Sequence, residues 1–474
     1  MSLVVGIIKG SLPSYFPEKY GVFPAAFAAV EEVASGVDAR VVEVPSVPMD
    51  GSGAREAVDY CKSNGVDFIL LVHGGFTMGD VAREIAASGM PMGVWATPEP
   101  VHENDIQLNN FVSLNMSLSI ARGVRDLRKA PVQWYFGAPD SAQFQARLGR
   151  TLRALTARKA LQHARIGVVG GLAPTFYNMA VSPDTLKRST GVEPVHVDMM
   201  RMTAGMANCA EDDVAREVAA MLAKAPMRGV SDAHMEKTAR AALSLRDIAA
   251  QEGFVGLAVS DWPTLQEVEG IHPGAAFTWL EENDNIPVAS EGDVLGTVTQ
   301  LVARALTGRV GCLLDMTSPQ LEQNRILMWH GGGGPLYMAA GEAAWINNPM
   351  IGRGTPEGAC FGAIVDYEFS DGAHTILRVA RSGTATFTVE GSVQAGGETG
   401  FTGTRGWVTN FRSNTGDCTA SDVVTTVMEH GLEHHYVLVP GEWSADFNEF
   451  SAWMAMEQLP VISAHDGLPS TSIA

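Results

Sequence analysis

The chain has 474 residues, 46% of them apolar and 18% charged, with 50 glycines and 24 prolines. That length exceeds what one hydrophobic core organises, and the composition is that of a soluble α/β protein, neither fibrous nor disordered. A formal net charge of −20 excludes nucleic acid and anionic membrane surfaces as partners, because neutralising phosphate needs a basic face. A small anionic substrate, held by one or two local arginines, stays open.

The five cysteines, Cys61, Cys209, Cys312, Cys360 and Cys418, include no CxxC pair. They read as reduced thiols of a cytoplasmic protein, with neither a disulfide framework nor a zinc knuckle. The opening MSLVVGIIKG has no basic n-region and reads as a first strand, not a signal peptide. No stretch approaches the roughly 18 uncharged apolar residues of a membrane span.

Residues 1–160 alternate apolar runs (Leu3–Ile8, Ala39–Val44, Asp67–Val72, Met92–Trp95, Val132–Phe136) with amphipathic stretches (Ala25–Ala34, Ala54–Asn64, Met78–Ala87). Strand and helix in regular alternation predict a parallel, doubly wound sheet, followed by a long helix over 142–163. A second unit of the same kind, 161–348, opens at Arg165-Ile-Gly-Val-Val-Gly-Gly. GVVGGLAP does not match the dinucleotide pattern GxGxxG and reads as a tight strand-to-helix turn. From 349 to 474, short runs (Ala359–Phe369, His374–Val379, Thr384–Ser392, Gly406–Phe411) separated by Gly, Asp and Ser predict an antiparallel, barrel-like domain. A helix near Ala445–Gln458 and a loose polar tail, Gly467–Ala474, end the chain.

The segment Ile286–Asp315, IPVASEGDVLGTVTQLVARALTGRVGCLLD, reads as strand, helix and strand. Ser290 with Asp293 makes a helix start, Gly308 a C-terminal cap, and Val310–Leu314 a second buried strand parallel to the first. Glu291 and Asp315 would then follow neighbouring strands on the edge where open α/β sheets bind ligands. Two carboxylates that close share a proton or a cation, and oxygen donors favour Mn²⁺, Mg²⁺ or Co²⁺. Read separately, each acid is only a helix-start or loop-capping residue, and Asp293 reads as a cap. His434 and His435 precede an extended run, where alternation would send the two rings to opposite faces. His330 stands before Gly331-Gly-Gly-Gly, either a flexible loop or a close approach to a ligand.

The motif Glu291-Gly-Asp-Val-Leu-Gly296, then Leu306-Thr-Gly308 and Asp315, resembles the L-fucose and L-arabinose isomerase superfamily. The 24-position offset between Glu291 and Asp315 is similar to that of the paired metal-binding acids of fucose isomerases. Gly431-Leu-Glu-His-His435 is similar to the arabinose isomerase segment whose second histidine binds the metal, and His330 resembles more weakly a histidine those enzymes place before a glycine-rich loop. Asn110–Ser117, with Asn115, is similar to a stretch that lines the neighbouring subunit's site in arabinose isomerases. Phe76, in Gly74-Gly-Phe-Thr-Met78, sits where fucose isomerases offer an aromatic across the interface. The resemblance implies two open α/β domains and a barrel-like third. It also implies a homo-oligomer, trimer or hexamer, with sites between subunits, and Mn²⁺ bound by Glu291, Asp315 and His435. The expected reaction is aldose–ketose isomerisation of a monosaccharide by enediol-type proton transfer, with Glu291 and Asp315 catalytic. Trp262 and Trp407 are candidates for stacking on the sugar. The alternatives are a modified, anionic sugar such as a sulfosugar, held by Arg122, Arg353, Arg381, Arg405 or Arg412, and a sugar-binding protein without catalysis.

Overall fold

Runs of β-branched and leucine residues form strands buried on both faces, the signature of sheets covered by helices. The computed structural model describes residues 2–124, 131–350 and 361–464. The chain divides into two compact units, Met1–Lys159 with Ala452–Ala455, and Ala160–Ser451 with Met456–Ala474. Cys360, Arg353 and the tail from Gly467 lie outside the described residues.

The first unit holds β1 (Leu3–Gly10), β2 (Ala39–Glu43), β3 (Phe68–His73), β4 (Met92–Ala96) and β5 (Val132–Phe136). These form one parallel sheet in the order β2-β1-β3-β4-β5. Helices α1 (Val22–Ser35), α2 (Gly51–Ser63), α3 (Gly79–Ala87), α4 (Asn110–Gly123) and α5 (Ala142–Leu161) connect or follow them. Each element expected in this segment forms, with ends shifted by a few residues.

The second unit contains a second parallel sheet. Its strands are β6 (Arg165–Val169), β7 (Glu193–Val197), β9 (Gly256–Val259) and β10 (Val288–Ala289), ordered β10-β9-β6-β7. Between β7 and β9 come α7 (Met199–Asn208), α8 (Glu211–Lys224), the short β8 (Met227–Arg228) and α9 (Asp232–Glu252), with α6 (Pro183–Thr190) before β7. Helices α10 (Thr264–Val268), α11 (Gly274–Asn283) and α12 (Val294–Thr307) follow β9 and β10. The glycine turn after β6 is a loop with Gly170 and Gly171 at positive φ; a single 3₁₀ turn (Tyr177–Met179) follows, and the next α-helix starts only at Pro183.

The remaining strands build a mixed sheet: β11 (Cys312–Gln320), β12 (Arg325–His330), β13 (Ala344–Asn347), β14 (Gly362–Glu368), β15 (Gly372–Ala380), β16 (Ala385–Val393), β17 (Thr404–Ser413), β18 (Gly416–Asp417), β19 (His435–Pro440) and β20 (Glu457–Gln458). Antiparallel pairings run β16–β15–β19–β11–β12–β17, and β17 pairs back onto β16, which closes a ring. Helices α13 (Ala420–His430) and α14 (Ser444–Trp453) flank the last strands.

One expectation is corrected here. Strand β11 does not return beside β10 as a parallel neighbour; it pairs antiparallel with β12 and β19. A short apolar run ending in aspartate looks the same in either setting, because periodicity fixes the faces of a strand and not its partner. Helix α12 joins the two sheets and is buried almost all round. Thr297 Oγ1 donates to the Leu257 carbonyl of β9 (2.9 Å), while Thr299 Oγ1 accepts the Val379 amide of β15 (3.0 Å).

Candidate active site

Glu291 follows β10 in a single turn of 3₁₀ helix, with its backbone in the left-handed region at φ 59° and ψ 13°. Such a conformation costs an L-residue of order 1–3 kcal/mol and persists only when its surroundings enforce it. Two hydrogen bonds and a neighbouring glycine do so. The Glu291 amide donates to Asp261 Oδ1 (2.6 Å), its carbonyl accepts from the Ala173 amide (3.0 Å), and Gly292 follows at φ 72°. A Cβ on Gly292 would lie 2.1 Å from the Gly171 carbonyl oxygen, so only glycine lets the β6 loop close over this turn. The cap of α12 is Asp293, whose Oδ1 accepts the Gly296 amide (2.9 Å), and not Ser290. Ser290 Oγ lies instead 3.2 Å from His330 Nε2.

Asp315 and His435 face each other across the β11–β19 ladder, so their side chains emerge on one side. His435 Nε2 lies 3.4 Å from Glu291 Oε2 and 3.7 Å from Asp315 Oδ1. The structure thus brings Glu291, Asp315 and His435 together, although by a route other than neighbouring parallel strands. The alternation argument for the histidine pair is corrected as well. His434 sits in a bend before β19 begins, so strand alternation does not apply to it, and its Nε2 reaches the same Glu291 oxygen at 3.3 Å. One ligand atom each from Glu291, His434 and His435 lie within 4.8 Å of one another. Asp315 meets that group through His435.

The electrostatics follow from the packing. Burial opposes the charge on Glu291, but His434, His435 and His330 outweigh it and hold its carboxyl below the ordinary range. Burial likewise opposes a charge on His435, and Asp293, Asp315 and Glu291 together raise it above its ordinary value. His330 is lowered, chiefly by burial. Behind the acids, Asp261 is pushed up to about 7 by burial, and His272, 3.7 Å from its Oδ2, is pushed down to about 3 for the same reason. Asp261, His272, Glu281, Ser290 and His330 line a small cavity next to the site. Asp315 Oδ1, His435 Nε2 and His330 Nδ1 are buried without a hydrogen-bond partner, an expensive arrangement unless something satisfies them. Two carboxylate oxygens and an imidazole nitrogen form a donor set suited to a divalent cation of the Mn²⁺, Mg²⁺ or Co²⁺ kind.

The other expected residues fall in different places. Trp262 is 36% exposed, its ring 6.1 Å from Phe176, which is 5.4 Å from the His434 ring. Trp407 is buried with Leu327 and Trp329 under the Arg325 guanidinium, 4.1 Å above it. Arg405 is paired with Asp366 (2.5 Å), Arg381 with Glu457 (3.0 Å) and Arg412 with Glu390 (2.6 Å) and Glu442 (2.8 Å). In the first unit, Phe76 is half-buried with its ring 6.3 Å from Tyr15, Asn115 is exposed, and so is Arg122 near the end of α4. The buried face of α4 presents Asn110, Ser113 and Ser117 instead.

Sequence reasoning missed Asp261, His272, His434, Phe176 and Asn178, whose Nδ2 lies 3.0 Å from His434 Nδ1. Asp261 did carry a usable signal, since it stands two positions after the run Phe254–Val259 on the ligand-binding edge of a parallel sheet. Phe176 and Asn178 lie in an irregular loop, where no periodicity marks them.

Fold and site define a class: an α/β protein in which an acid at the carboxyl edge of a parallel sheet meets an acid and imidazoles carried by a mixed sheet. No protein-family model matches the chain. Curated relatives do. Enzymes named sulfoquinovose isomerase from Priestia aryabhattai and Priestia megaterium are each 25% identical over 406 residues, spanning 84% of this chain and 86% of theirs. A third of that name, from Alkalicoccus urumqiensis, is 24% identical over 398 residues, 83% of this chain and 85% of its own. A solved ABC transporter solute-binding protein from Agrobacterium vitis, bound with alpha-D-tagatopyranose, is 13% identical, covering 65% of this chain and 90% of that one. Its TM-score is 0.18, too low to carry any argument.

Proposed function

We propose that the chain isomerises a sulfosugar of the sulfoquinovose type, using a divalent cation, Mn²⁺ or else Mg²⁺ or Co²⁺, held by Glu291, Asp315 and His435. The chain is a sugar isomerase, an intramolecular oxidoreductase that interconverts aldose and ketose, as its similarity to relatives of that activity over more than four-fifths of its length supports. The observation that carries the site is the meeting of Glu291 Oε2 and Asp315 Oδ1 at His435 Nε2, the last two buried without hydrogen bonds.

When bound, the cation would supply Lewis-acid polarisation of the sugar carbonyl and the neighbouring hydroxyl. The remaining work belongs to side chains. One carboxylate takes the proton from C2 of the open-chain aldose. The C2–H electron pair becomes the C1–C2 double bond and O1 gains a proton, giving an enediol. Delivery of a proton to C1 and loss of the O2 proton complete the ketose. Glu291 and Asp315 share these duties, and His435 contributes neutral Nε2. His434 is placed to hydrogen-bond a sugar oxygen, and Trp262 with Phe176 to cover a sugar face. The enzyme works as a homo-oligomer, trimer or hexamer, with Phe76 and Asn115 serving a neighbouring copy's site.

A second reading, isomerisation of a neutral monosaccharide, draws on one observation: Arg381, Arg405 and Arg412 already have carboxylate partners, which a sulfonate would have to displace. One experiment separates the readings. The protein is stripped with EDTA, reloaded with Mn²⁺ and incubated in D₂O with sulfoquinovose, L-fucose and L-arabinose, and ketose formation is followed by NMR. We expect turnover of the sulfosugar with deuterium appearing at the exchanged carbon. Turnover of the neutral sugars alone discards the sulfosugar, turnover without deuterium uptake discards the proton-transfer route, and sugar binding without any ketose formed discards catalysis.

A further inference from the structure

Beside the candidate metal donors lies a group of charges sealed from solvent. Arg378, near the end of β15, and Asp293, the cap of α12, both have side chains with no exposure at all, joined at 2.8 Å between Arg378 Nη1 and Asp293 Oδ2. The same Oδ2 is 3.1 Å from His435 Nδ1. On the other side of Arg378, Glu433 Oε2 is 3.5 Å from its Nε, and Glu433 Oε1 accepts the Arg381 amide (3.0 Å). A Cβ on Gly296 would sit 2.6 Å from Asp293 Oδ2, so the carboxylate occupies the space that glycine leaves free. The third and last residues of Glu291-Gly-Asp-Val-Leu-Gly296 are therefore parts of one device.

Helix capping does not require this arrangement. An exposed aspartate or serine caps as well, with no buried arginine, and taking a guanidinium and a carboxylate out of water costs several kcal/mol per ion before they pair. What the pair does obtain is a fixed, charged acceptor behind His435. With Nδ1 engaged by Asp293, Nε2 is the nitrogen left facing Glu291 and Asp315. A carboxylate behind an imidazole is the usual way a ligating histidine is oriented and made more basic.

We propose that Asp293, held charged and in place by Arg378, is a positioning residue that sets the orientation of His435 and aims its Nε2 at the cation site, with Glu433 steadying Arg378 and the His434–His435 segment. This rests on the metal-site reading above. Arg378 and Asp293 touch no substrate; they act through His435.

The test uses full-length protein, stripped with EDTA and titrated with Mn²⁺ under EPR, with electron spin-echo modulation from ¹⁴N reporting the coordinated imidazole. Asp293→Asn preserves the helix cap, because asparagine caps as well as aspartate, and removes the charge behind His435. The expected result is a folded variant whose Mn²⁺ affinity falls about 10- to 100-fold and whose imidazole ¹⁴N modulation is weakened or lost. A purely structural cap predicts the opposite, and unchanged affinity with unchanged modulation overturns the proposal. Should the guanidinium, left with Glu433 alone, prevent folding, Asp293→Asn/Arg378→Met removes the Asp293–Arg378 pair and is read in the same way. A metal-free arm keeps the two readings apart. In ¹⁵N-histidine-labelled protein, the His435 Nδ1 proton is expected far downfield and slow to exchange, and to lose that position in the variant. If wild-type protein takes up no Mn²⁺ yet this proton behaves as expected, the metal site has failed and the positioning role stands; if the proton is unaffected by Asp293→Asn, the positioning role has failed whatever the metal does.

Discussion

At the scale of single residues, the decisive feature is that Glu291 is held in a strained backbone conformation by Asp261, Ala173 and Gly292 while its side chain faces two imidazoles. Glu291→Gln and Asp315→Asn keep shape and remove charge. Each is expected to lower kcat for isomerisation by at least about 10²-fold, the scale of a lost acid–base group, with an unaltered far-UV spectrum; turnover close to wild type in both would remove the mechanism. Glu281 offers a separate readout of the buried cavity. It is fully buried, its Oε1 accepts from Gln300 Nε2 (2.6 Å), and burial pushes its carboxyl from 4.5 up to about 8. Between those values the folded protein holds a proton that the unfolded chain has released, so stability declines as pH rises through that window. One such group contributes a slope of up to about 1.4 kcal/mol per pH unit. Denaturation of Glu281→Gln measured from pH 5 to 8 should show a flatter profile than wild type; an identical slope would exclude the neutral buried acid. Of the residues at the site, Glu291, Asp315 and His435 were legible because motif and spacing mark them. Asp261 and Arg378 were not, since one follows an ordinary buried strand and the other sits in a strand segment whose partner charges lie 85 and 55 positions away in sequence.

At the scale of elements, the first unit was readable almost strand by strand, because alternating apolar runs and amphipathic helices permit few other arrangements. The second unit was not. Strand β11 has the composition of a central parallel strand but pairs antiparallel with β12 and β19, and what decides this is non-local: Asp315 and His435 are register partners 120 positions apart. The tight turn after β10 yields a prediction of its own. In Gly292→Ala a methyl group would meet the Gly171 carbonyl at 2.1 Å in a backbone region that alanine avoids. The expected cost is of order 1–3 kcal/mol, read by urea denaturation, with activity falling further than stability because the displaced turn carries Glu291. A variant with full activity and full stability would show that the β6 loop can yield.

At the scale of the whole molecule, the chain carries a formal charge of −20, and among the described residues no helix is long and apolar enough to cross a membrane. A cation bound only by the folded site stabilises it by mass action, by about 2.7 kcal/mol at a hundredfold excess over its dissociation constant. Mn²⁺ should therefore raise the melting temperature of EDTA-treated protein in calorimetry, and Glu291→Gln should forfeit most of that rise. An equal rise in both would place the cation elsewhere. The closed ring of strands carries a further consequence. Asp315 and His435 ride on adjacent staves of a hoop with no loose end, and a slip of one position between those staves would swing one donor to the opposite wall. Such a hoop admits no half-seated state: gradual warming should leave turnover intact until the staves part, and then extinguish it all at once.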